Sequence, residues 1–270
     1  MREQKIKTSM YSALFFDIDG TLVSFKTHQI PQSTVDSIRQ AKERGVGIYI
    51  STGRPLQLIT NLKAIESYID GYITTNGALC FVGEHIVNRA PIDKQSVAAI
   101  IDDCHRNDYC CIVVGESGVS LFNPKPIFDE VFVEGLNVTN IDKSVSAEEM
   151  LENENIFQLS PFFSASHEQE IMAKVTGCVS GRWHPAFTDI TASVADKGKG
   201  LLAMAEYLKL DIAETMVFGD GGNDVAILRT AGMGVAMGNA GEEAKAAADY
   251  ITTSVDDDGI MNALKHFDVI

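Results

Sequence analysis

The stretch YSALFFDIDGTLV, residues 11–23, decides how this chain is interpreted. Its apolar run ends abruptly at Asp17, and Asp19 and Gly20 follow at once. A short apolar run bounded by turn residues predicts a buried strand, and in α/β proteins the carboxyl ends of such strands carry the ligand-binding groups. One carboxylate could then attack as a nucleophile or bind a cation, while the other moves a proton. The alternative is an Asx turn with two solvated aspartates.

The next segments repeat the pattern of a strand followed by polar residues. Residues 46–51 and 72–74 read as strands, with a helix over 34–43 between the first two strands and another over 56–65. Thr-Gly-Arg follows the second strand, and Thr-Asn-Gly follows the third. This alternation predicts an α/β fold with a doubly wound parallel sheet, in which these polar groups gather at one edge.

The pattern changes after about residue 81 and returns near residue 191. Residues 85–187 mix β-rich and helical pieces, and no glycine-rich loop follows a strand there. A chain of 270 residues is longer than one core needs. We therefore predict a core formed by residues 1–84 and 188–270, with an α/β domain inserted over 85–187.

Composition excludes some partners. The formal net charge of −15 disfavours nucleic acid and anionic membranes, which both require a basic face. The five cysteines are odd in number and show no C-x-x-C spacing, which indicates free thiols in a reducing compartment. Neither a signal peptide nor a run of membrane-spanning length is evident. We expect a cytoplasmic protein with neither a nucleic-acid nor a membrane partner.

Four signals follow the predicted strands in order: Asp17-x-Asp19, Thr52-Gly53-Arg54, a lysine at 197 or 199, and Gly219-Asp220-x-x-Asn223-Asp224. The carboxylates are hard oxygen ligands of the kind that Mg²⁺ prefers. Hydroxyl, ammonium and turn amide groups suit phosphate oxygens. The two aspartates of the last signal could instead cap a helix.

In these motifs the chain resembles the haloacid dehalogenase-like (HAD) superfamily. More closely, it resembles the Cof-type sugar-phosphate phosphatases, whose cap domain is inserted between the second and third motifs. FFDIDGTL, STGR, the lysine–glycine stretch and GDGGND match the four motifs, and TNGA at 75–78 is a further mark of the Cof-type group. The resemblance implies that the inserted domain is a C2-type cap that determines substrate specificity.

The resemblance also implies roles for the acidic residues. Asp17 would attack phosphorus and form an aspartyl-phosphate, and Asp19 would protonate the leaving oxygen and then activate water. Mg²⁺ would be held by the Asp17 carboxylate, the Asp19 carbonyl and Asp220. Asp224 would hold the loop or bind a metal-bound water.

Phosphate and substrate binding would fall to a second group of residues. The resemblance implies that Thr52 and the Gly53 amide bind the transferred phosphoryl group, with Asn223 supporting the phosphate or the nucleophile. Arg54 is assigned to substrate binding, with a solvated arginine or a partner for a carboxylate as alternatives. Matching the family spacing without gaps selects Lys197 as the motif lysine, while the doubled Lys-Gly leaves Lys199 as the second candidate.

The resemblance implies a Mg²⁺-dependent phosphatase of small phosphorylated metabolites, with sugar (hexose or pentose) phosphates as the expected substrates. A phosphomutase on the same scaffold is the alternative, and it would interconvert isomers while releasing little phosphate. A non-enzymatic phospho-acceptor switch is more remote, because a receiver is shorter and lacks an acid two residues after its phosphorylated aspartate. We expect a monomer whose partner is its small-molecule substrate.

Overall fold

The computed structural model describes residues 10–135 and 146–270. Its strands, in chain order, are β1 Ala13–Phe16, β2 Gly47–Ser51, β3 Gly71–Thr74, β4 Leu79–Val82, β5 His85–Arg89, β6 Cys111–Val114, β7 Val119–Phe122, β8 Gln158–Pro161, β9 Cys178–His184, β10 Phe187–Ala192, β11 Thr215–Gly219, β12 Met233–Ala236 and β13 Tyr250–Ile251. Its α-helices are α1 Gln32–Glu43, α2 Lys94–Arg106, α3 Pro126–Phe128, α4 Ala147–Asn153, α5 Ala165–Met172, α6 Lys197–Leu208, α7 Val225–Thr230, α8 Glu242–Ala247 and α9 Gly259–His266.

Shorter helical segments complete the structure. A π-helix spans Asp129–Gly135. The 3-10 turns are Leu56–Leu58, Glu66–Tyr68, Thr75–Gly77, Ile212–Glu214, Gly222–Asp224 and Val255–Asp257. Within the described ranges, no helix is long and apolar enough to cross a membrane.

Contacts divide the described chain into two units. The first lies within residues 1–53, 60–88 and 196–270, and the second within 54–59 and 89–195. The boundaries between the units fall at 88/89 and 195/196, which is C-terminal to the predicted boundaries at 84/85 and 187/188. The reason is strand pairing, because β5 extends the sheet of the first unit while β10 pairs with β8 and β9 of the second.

The first unit contains an eight-stranded sheet in the order β13-β12-β11-β1-β2-β3-β4-β5. The strands from β13 to β3 are parallel, and β4 runs antiparallel to β3. Both β1 and β11 are buried along their whole length, as expected for strands covered on both faces. Helices α6, α7 and α8 form one packed group and α1 packs with α9. The predicted α/β fold with a doubly wound, largely parallel sheet is confirmed.

Register brings the predicted polar groups to one edge of this sheet. Phe16 at the end of β1 pairs with Phe218 on β11 and with Ile50 on β2. Ser51 at the end of β2 in turn pairs with Ile73 on β3. The residues that follow these four strands therefore emerge side by side, as expected of a parallel sheet.

The second unit is built on a five-stranded antiparallel sheet in the order β7-β6-β8-β10-β9. Alternate residues of β6 enter different apolar clusters, because side chains along a strand point to opposite faces. Cys111 and Val113 join a cluster with residues of α2, α4 and α5. Ile112 and Val114 join a second cluster that is rich in phenylalanine.

Residues 56–65 do not form the predicted helix. Only Leu56–Leu58 is helical, as a single 3-10 turn. Leu58 belongs to the phenylalanine-rich cluster of the second unit, whereas Leu62 and Ile65 are buried in the first. The helix predicted over residues 56–65 is therefore wrong, because the apolar residues of this segment are divided between two different cores.

All five cysteines are free thiols, and four of them are buried. Burial raises the pKa of the Cys80 thiol to about 12 and that of Cys110 also to about 12. Because the thiolate is the reactive form, these residues act as packing groups.

Replacing Phe16 tests the centre of the first unit. Its ring is fully buried and stacks on Phe218 with centroids 5.0 Å apart. Phe16→Ala should lower the free energy of unfolding by about 3–5 kcal/mol, through lost burial and a residual cavity. Chemical denaturation measures this. Phe25→Ala is the matched control, because Phe25 is 64% exposed and its loss should change stability by less than about 0.5 kcal/mol. Equal losses in the two variants would contradict this description of the core.

Candidate active site

A buried lysine joins two aspartates at the edge of the first sheet. Lys197 is 1% exposed, and its Nζ donates to Asp17 Oδ1 at 2.7 Å and to Asp224 Oδ1 at 2.6 Å. Asp17 follows β1, Asp224 ends the turn after β11, and Lys197 begins α6. Parallel pairing of β1 with β11 brings the two acids together. The three residues form charge-assisted hydrogen bonds, which are shorter and stronger than neutral ones.

Burial and charge act in opposite directions in this group. Burial is the largest influence on Asp17 and raises its pKa well above the ordinary value, while Lys197 opposes that rise. For Lys197, burial favours the neutral amine, but Asp17 and Asp224 outweigh it and raise the pKa of the ammonium. Lys197 therefore stays protonated and helps to keep a buried carboxylate ionised.

Asp220 provides a third carboxylate beside this pair. Its Oδ1 accepts a hydrogen bond of 2.9 Å from the Thr21 hydroxyl, which links the first and last motifs. Burial, with the neighbouring carboxylates of Asp224 and Asp19, raises the pKa of Asp220 to about 6, against the hydrogen bond from Thr21 and the charge of Lys197. A carboxyl group with this pKa changes charge near pH 6, well above the pH at which an exposed aspartate does so.

The donor set suits a divalent cation. One carboxylate oxygen from each of Asp17, Asp220 and Asp224 lies within 4.8 Å of the others. Only one ammonium, that of Lys197, pairs with this cluster in the interactions found among the described residues. Hard oxygen ligands with surplus negative charge are what Mg²⁺ prefers, so the residues present fit the metal that the sequence predicts.

Asp224 holds the last motif in shape. Its Oδ2 accepts from the backbone amides of Asp220 at 3.0 Å and Gly221 at 2.9 Å, while its Oδ1 accepts from Lys197. Both carboxylate oxygens therefore have protein donors. Of the two roles predicted for Asp224, these contacts favour fixing the loop over holding a metal-bound water.

The structure separates the two candidate lysines. Lys199 has a side chain that is 57% exposed and pairs with Asp196 at 3.2 Å. Two residues correspond to about 200° around a helix, so Lys197 and Lys199 lie on nearly opposite faces of α6. A Cβ on Gly198 would lie 2.9 Å from the Ala226 carbonyl of α7, and one on Gly200 would lie 2.8 Å from Ile73 on β3. The doubled Lys-Gly is therefore a packing feature, and these small residues let α6 approach closely enough for Lys197 to reach the cluster.

Thr52, Gly53 and Asn223 meet through a residue outside the predicted site. Thr52 is buried at the end of β2, and its carbonyl accepts from the Asn76 amide at 3.1 Å. The side chain of Asn223 donates to Asn76 Oδ1 at 3.0 Å. Gly53 lies against the side-chain amide of Asn76, since a Cβ on Gly53 would be 3.0 Å from Asn76 Oδ1. The second and fourth motifs are thus bridged by Asn76.

The contacts described for Asp19 and Arg54 are with residues nearby in the sequence. Asp19 is half-buried and forms a β-bridge with Val23, which closes the turn after β1. Arg54 belongs to the second unit, and its Nη1 donates to the Leu58 carbonyl at 3.3 Å. The substrate-binding role assigned to Arg54 stays a prediction.

Three supporting residues were missed in the sequence. Thr21 and Asn76 lie inside quoted motifs, so position alone could have suggested them. Asn239 lies after β12, its amide donates to the Gly20 carbonyl at 2.8 Å, and its oxygen accepts from Val255 at 2.9 Å. No local pattern marks Asn239, because its partners are distant in sequence.

Known proteins share this architecture. The chain matches the family of haloacid dehalogenase-like hydrolases over residues 14–264. A solved HAD subclass IIB sugar phosphatase is 45% identical, with a TM-score of 0.86 over 96% of this chain and 100% of that one. A solved HAD phosphatase from Bacteroides thetaiotaomicron is 33% identical, with a TM-score of 0.84 over 100% of this chain and 98% of that one. Phosphatase YwpJ of Bacillus subtilis is 27% identical over 93% of this chain and 97% of its own length.

The chain belongs to the haloacid dehalogenase-like hydrolases, since that family covers nearly its whole length. Within the family it is a phosphoric monoester hydrolase. The predicted family and enzyme class are confirmed.

Replacing each lysine tests the cluster. Lys197→Met should lower hydrolysis of 4-nitrophenyl phosphate by about 10²–10³-fold, because a fixed positive charge beside the reacting group is lost. It should also destabilise the protein by about 3–5 kcal/mol at pH 7, because two buried carboxylates lose their partner. Phosphate-release assays and chemical denaturation measure these effects. Lys199→Met is the control and should behave like the wild type, since an exposed pair contributes about 0–1 kcal/mol. A larger effect at Lys199 would reverse the assignment.

Proposed function

We propose that this protein is a Mg²⁺-dependent phosphatase of small phosphorylated metabolites, chiefly hexose and pentose phosphates, acting through an aspartyl-phosphate. The observation that carries the proposal is the buried Asp17–Lys197–Asp224 group beside Asp220. The substrate class is supported by the 45% identity to a HAD subclass IIB sugar phosphatase. A fold by itself does not determine a substrate, so the class must be tested directly.

Asp17 is proposed as the nucleophile. One oxygen of its carboxylate forms a bond to phosphorus while the bond from phosphorus to the ester oxygen breaks. The ammonium of Lys197 orients the Asp17 carboxylate through its hydrogen bond and offsets the negative charge of the reacting groups. A carboxylate nucleophile and an anionic phosphate repel each other, and this fixed charge reduces the repulsion.

Asp19 is proposed as the general acid and base. It gives a proton to the ester oxygen as that oxygen leaves. In the second half of the reaction it takes a proton from water, whose oxygen bonds to phosphorus and releases Asp17 and inorganic phosphate. Asp19 lies two residues after the nucleophile in the sequence, and the Asp19–Val23 bridge fixes the backbone of the turn that carries it.

Mg²⁺ would be held by the Asp17 carboxylate, the Asp19 carbonyl and Asp220, and it supplies positive charge that stabilises the transferring phosphoryl group. Thr21 orients Asp220 for this purpose. Thr52, the Gly53 amide and Asn223 would bind the phosphoryl oxygens, with Arg54 contacting the substrate. Residues of the inserted unit would select the group attached to phosphate. We further propose a monomer acting in the cytoplasm.

The first test is phosphate release from a panel of sugar phosphates, nucleotides and an aryl phosphate, with Mg²⁺ and with chelator. Release from hexose or pentose phosphates that is lost with chelator is expected. Asp17→Asn should reduce turnover by at least about 10³-fold, because an amide is a far weaker nucleophile than a carboxylate. Its melting temperature, compared with that of the wild type, controls for folding. Activity of Asp17→Asn near wild type would refute the assignment. Isomer interconversion without phosphate release would favour a mutase instead.

The metal dependence should vary with pH. The raised pKa of Asp220, about 6, means that the folded metal-free protein binds extra protons below that pH. This stabilising contribution is lost as pH rises through about 6, and the deprotonated carboxylate then becomes a better metal ligand. The rise in melting temperature caused by Mg²⁺ should therefore be small at pH 5 and larger at pH 7.5.

Thermal unfolding with MgCl₂ or EDTA measures this effect. Asp220→Asn is the matched control, because it keeps an oxygen that can accept from Thr21 but removes the charge. It should lose most of the Mg²⁺-induced stabilisation at pH 7.5. An unchanged Mg²⁺ response in Asp220→Asn would exclude Asp220 as a ligand.

A further inference from the structure

The turn after β3 has an uncommon backbone. Thr75, Asn76 and Gly77 all have positive φ angles, of 48°, 52° and 91°. Left-handed conformations are unfavourable for residues other than glycine, most of all for β-branched ones such as threonine. The hydroxyl of Thr75 is also buried without a hydrogen-bond partner among the described residues. Strain of this kind persists only where the surroundings hold it, and it concentrates at functional sites.

Contacts from three motifs hold this turn in place. Asn76 receives the Asn223 amide on its side-chain oxygen and donates its own backbone amide to Thr52, as described above. Gly77 lies against the start of α6, since a Cβ there would be 2.2 Å from the Asp196 carbonyl and 3.1 Å from the Lys197 amide. The turn therefore touches the second, third and fourth motifs at once.

We infer that Asn76 is a positioning residue for the phosphate-binding groups, acting through Asn223 and the Thr52–Gly53 backbone. This inference rests on the proposed function, in which those groups hold the phosphoryl oxygens. Asn223 is itself exposed, on the 3-10 turn that ends at the buried Asp224, so its side chain needs a partner to keep one orientation. Asn76 supplies that partner before substrate arrives, which reduces the ordering required on binding.

Asparagine suits this position for two reasons. It tolerates the left-handed conformation better than most residues, and its amide oxygen accepts the Asn223 hydrogen bond without bringing a charge. An aspartate would keep the acceptor and a similar shape, but its charge would repel an anionic phosphate near Gly53. If the role of Asn76 were purely structural, asparagine and aspartate would serve equally well. If Asn76 positions the phosphate-binding groups, aspartate should weaken phosphate binding.

The test compares Asn76→Gly, Asn223→Ala and the double variant with the wild type. Glycine adopts positive φ freely, so Asn76→Gly should unfold within about 2 °C of the wild type. It should lose about 3- to 10-fold in kcat/KM, and the inhibition constant of inorganic phosphate should rise by the same factor, because an untethered amide must be ordered on binding. The double variant should equal Asn223→Ala alone, since both remove one interaction.

Asn123→Gly is the matched control. Asn123 also has a positive φ, 47°, and its side-chain amide also donates hydrogen bonds, but its acceptors, Asp108 and the Tyr109 carbonyl, belong to none of the four motifs. It should leave kcat/KM and phosphate inhibition unchanged. Asn76→Asp is the second variant, and it should raise the phosphate inhibition constant at least as much as Asn76→Gly while the protein stays folded.

Two results would overturn the inference. One is wild-type phosphate inhibition in both Asn76→Gly and Asn76→Asp. The other is multiplication of the separate losses in the double variant, which would show that Asn76 and Asn223 act independently. A wild-type protein that releases no phosphate from any monoester would instead refute the proposed function, which separates the two failures.

Discussion

The ammonium of Lys197, buried between Asp17 and Asp224, is the interaction on which the site depends. Its partner Asp17 lies 180 positions earlier in the chain, and Asp224 lies 27 positions later. A buried charge is tolerated only when it is paired and hydrogen-bonded. Two carboxylates meet that requirement here, but only if β1, β11 and the start of α6 are brought together. The order of the parallel sheet is therefore tied to the chemistry at its edge.

Charge balance explains why the site is built around this lysine. The chain carries a formal charge of −15, and three carboxylates converge at the sheet edge. An anionic phosphate would be repelled by that field without local positive charge. Lys197 supplies one fixed charge, and a divalent cation would supply more. Burial and neighbouring carboxylates raise the pKa values of both Asp17 and Asp220, and a bound cation would offset that crowding of negative charge.

Much of the first unit could be predicted from local patterns. The apolar runs before Asp17, Thr52 and Asp220 marked strands, and the rules of parallel sheets placed their ends together. The choice between Lys197 and Lys199 depends on which face of α6 is buried, and this is determined by the packing of Gly198 and Gly200 against α7 and β3. The false helix over residues 56–65 and the displaced domain boundaries have a similar cause. Each depends on which core buries a residue, and a short window of sequence does not contain that information.

The buried charges and the second unit belong to different parts of the chain's topology. The chain leaves the first sheet after β5 at its edge and returns before α6, so none of the parallel pairings among β3, β2, β1 and β11 involves the second unit. The side chains of Asp17, Lys197, Asp220 and Asp224 all arise from the first unit. The second unit has its own antiparallel sheet and its own apolar clusters. The buried charges and the apolar clusters of the second unit are therefore held in place by two separate sets of strand pairings, one parallel and one antiparallel.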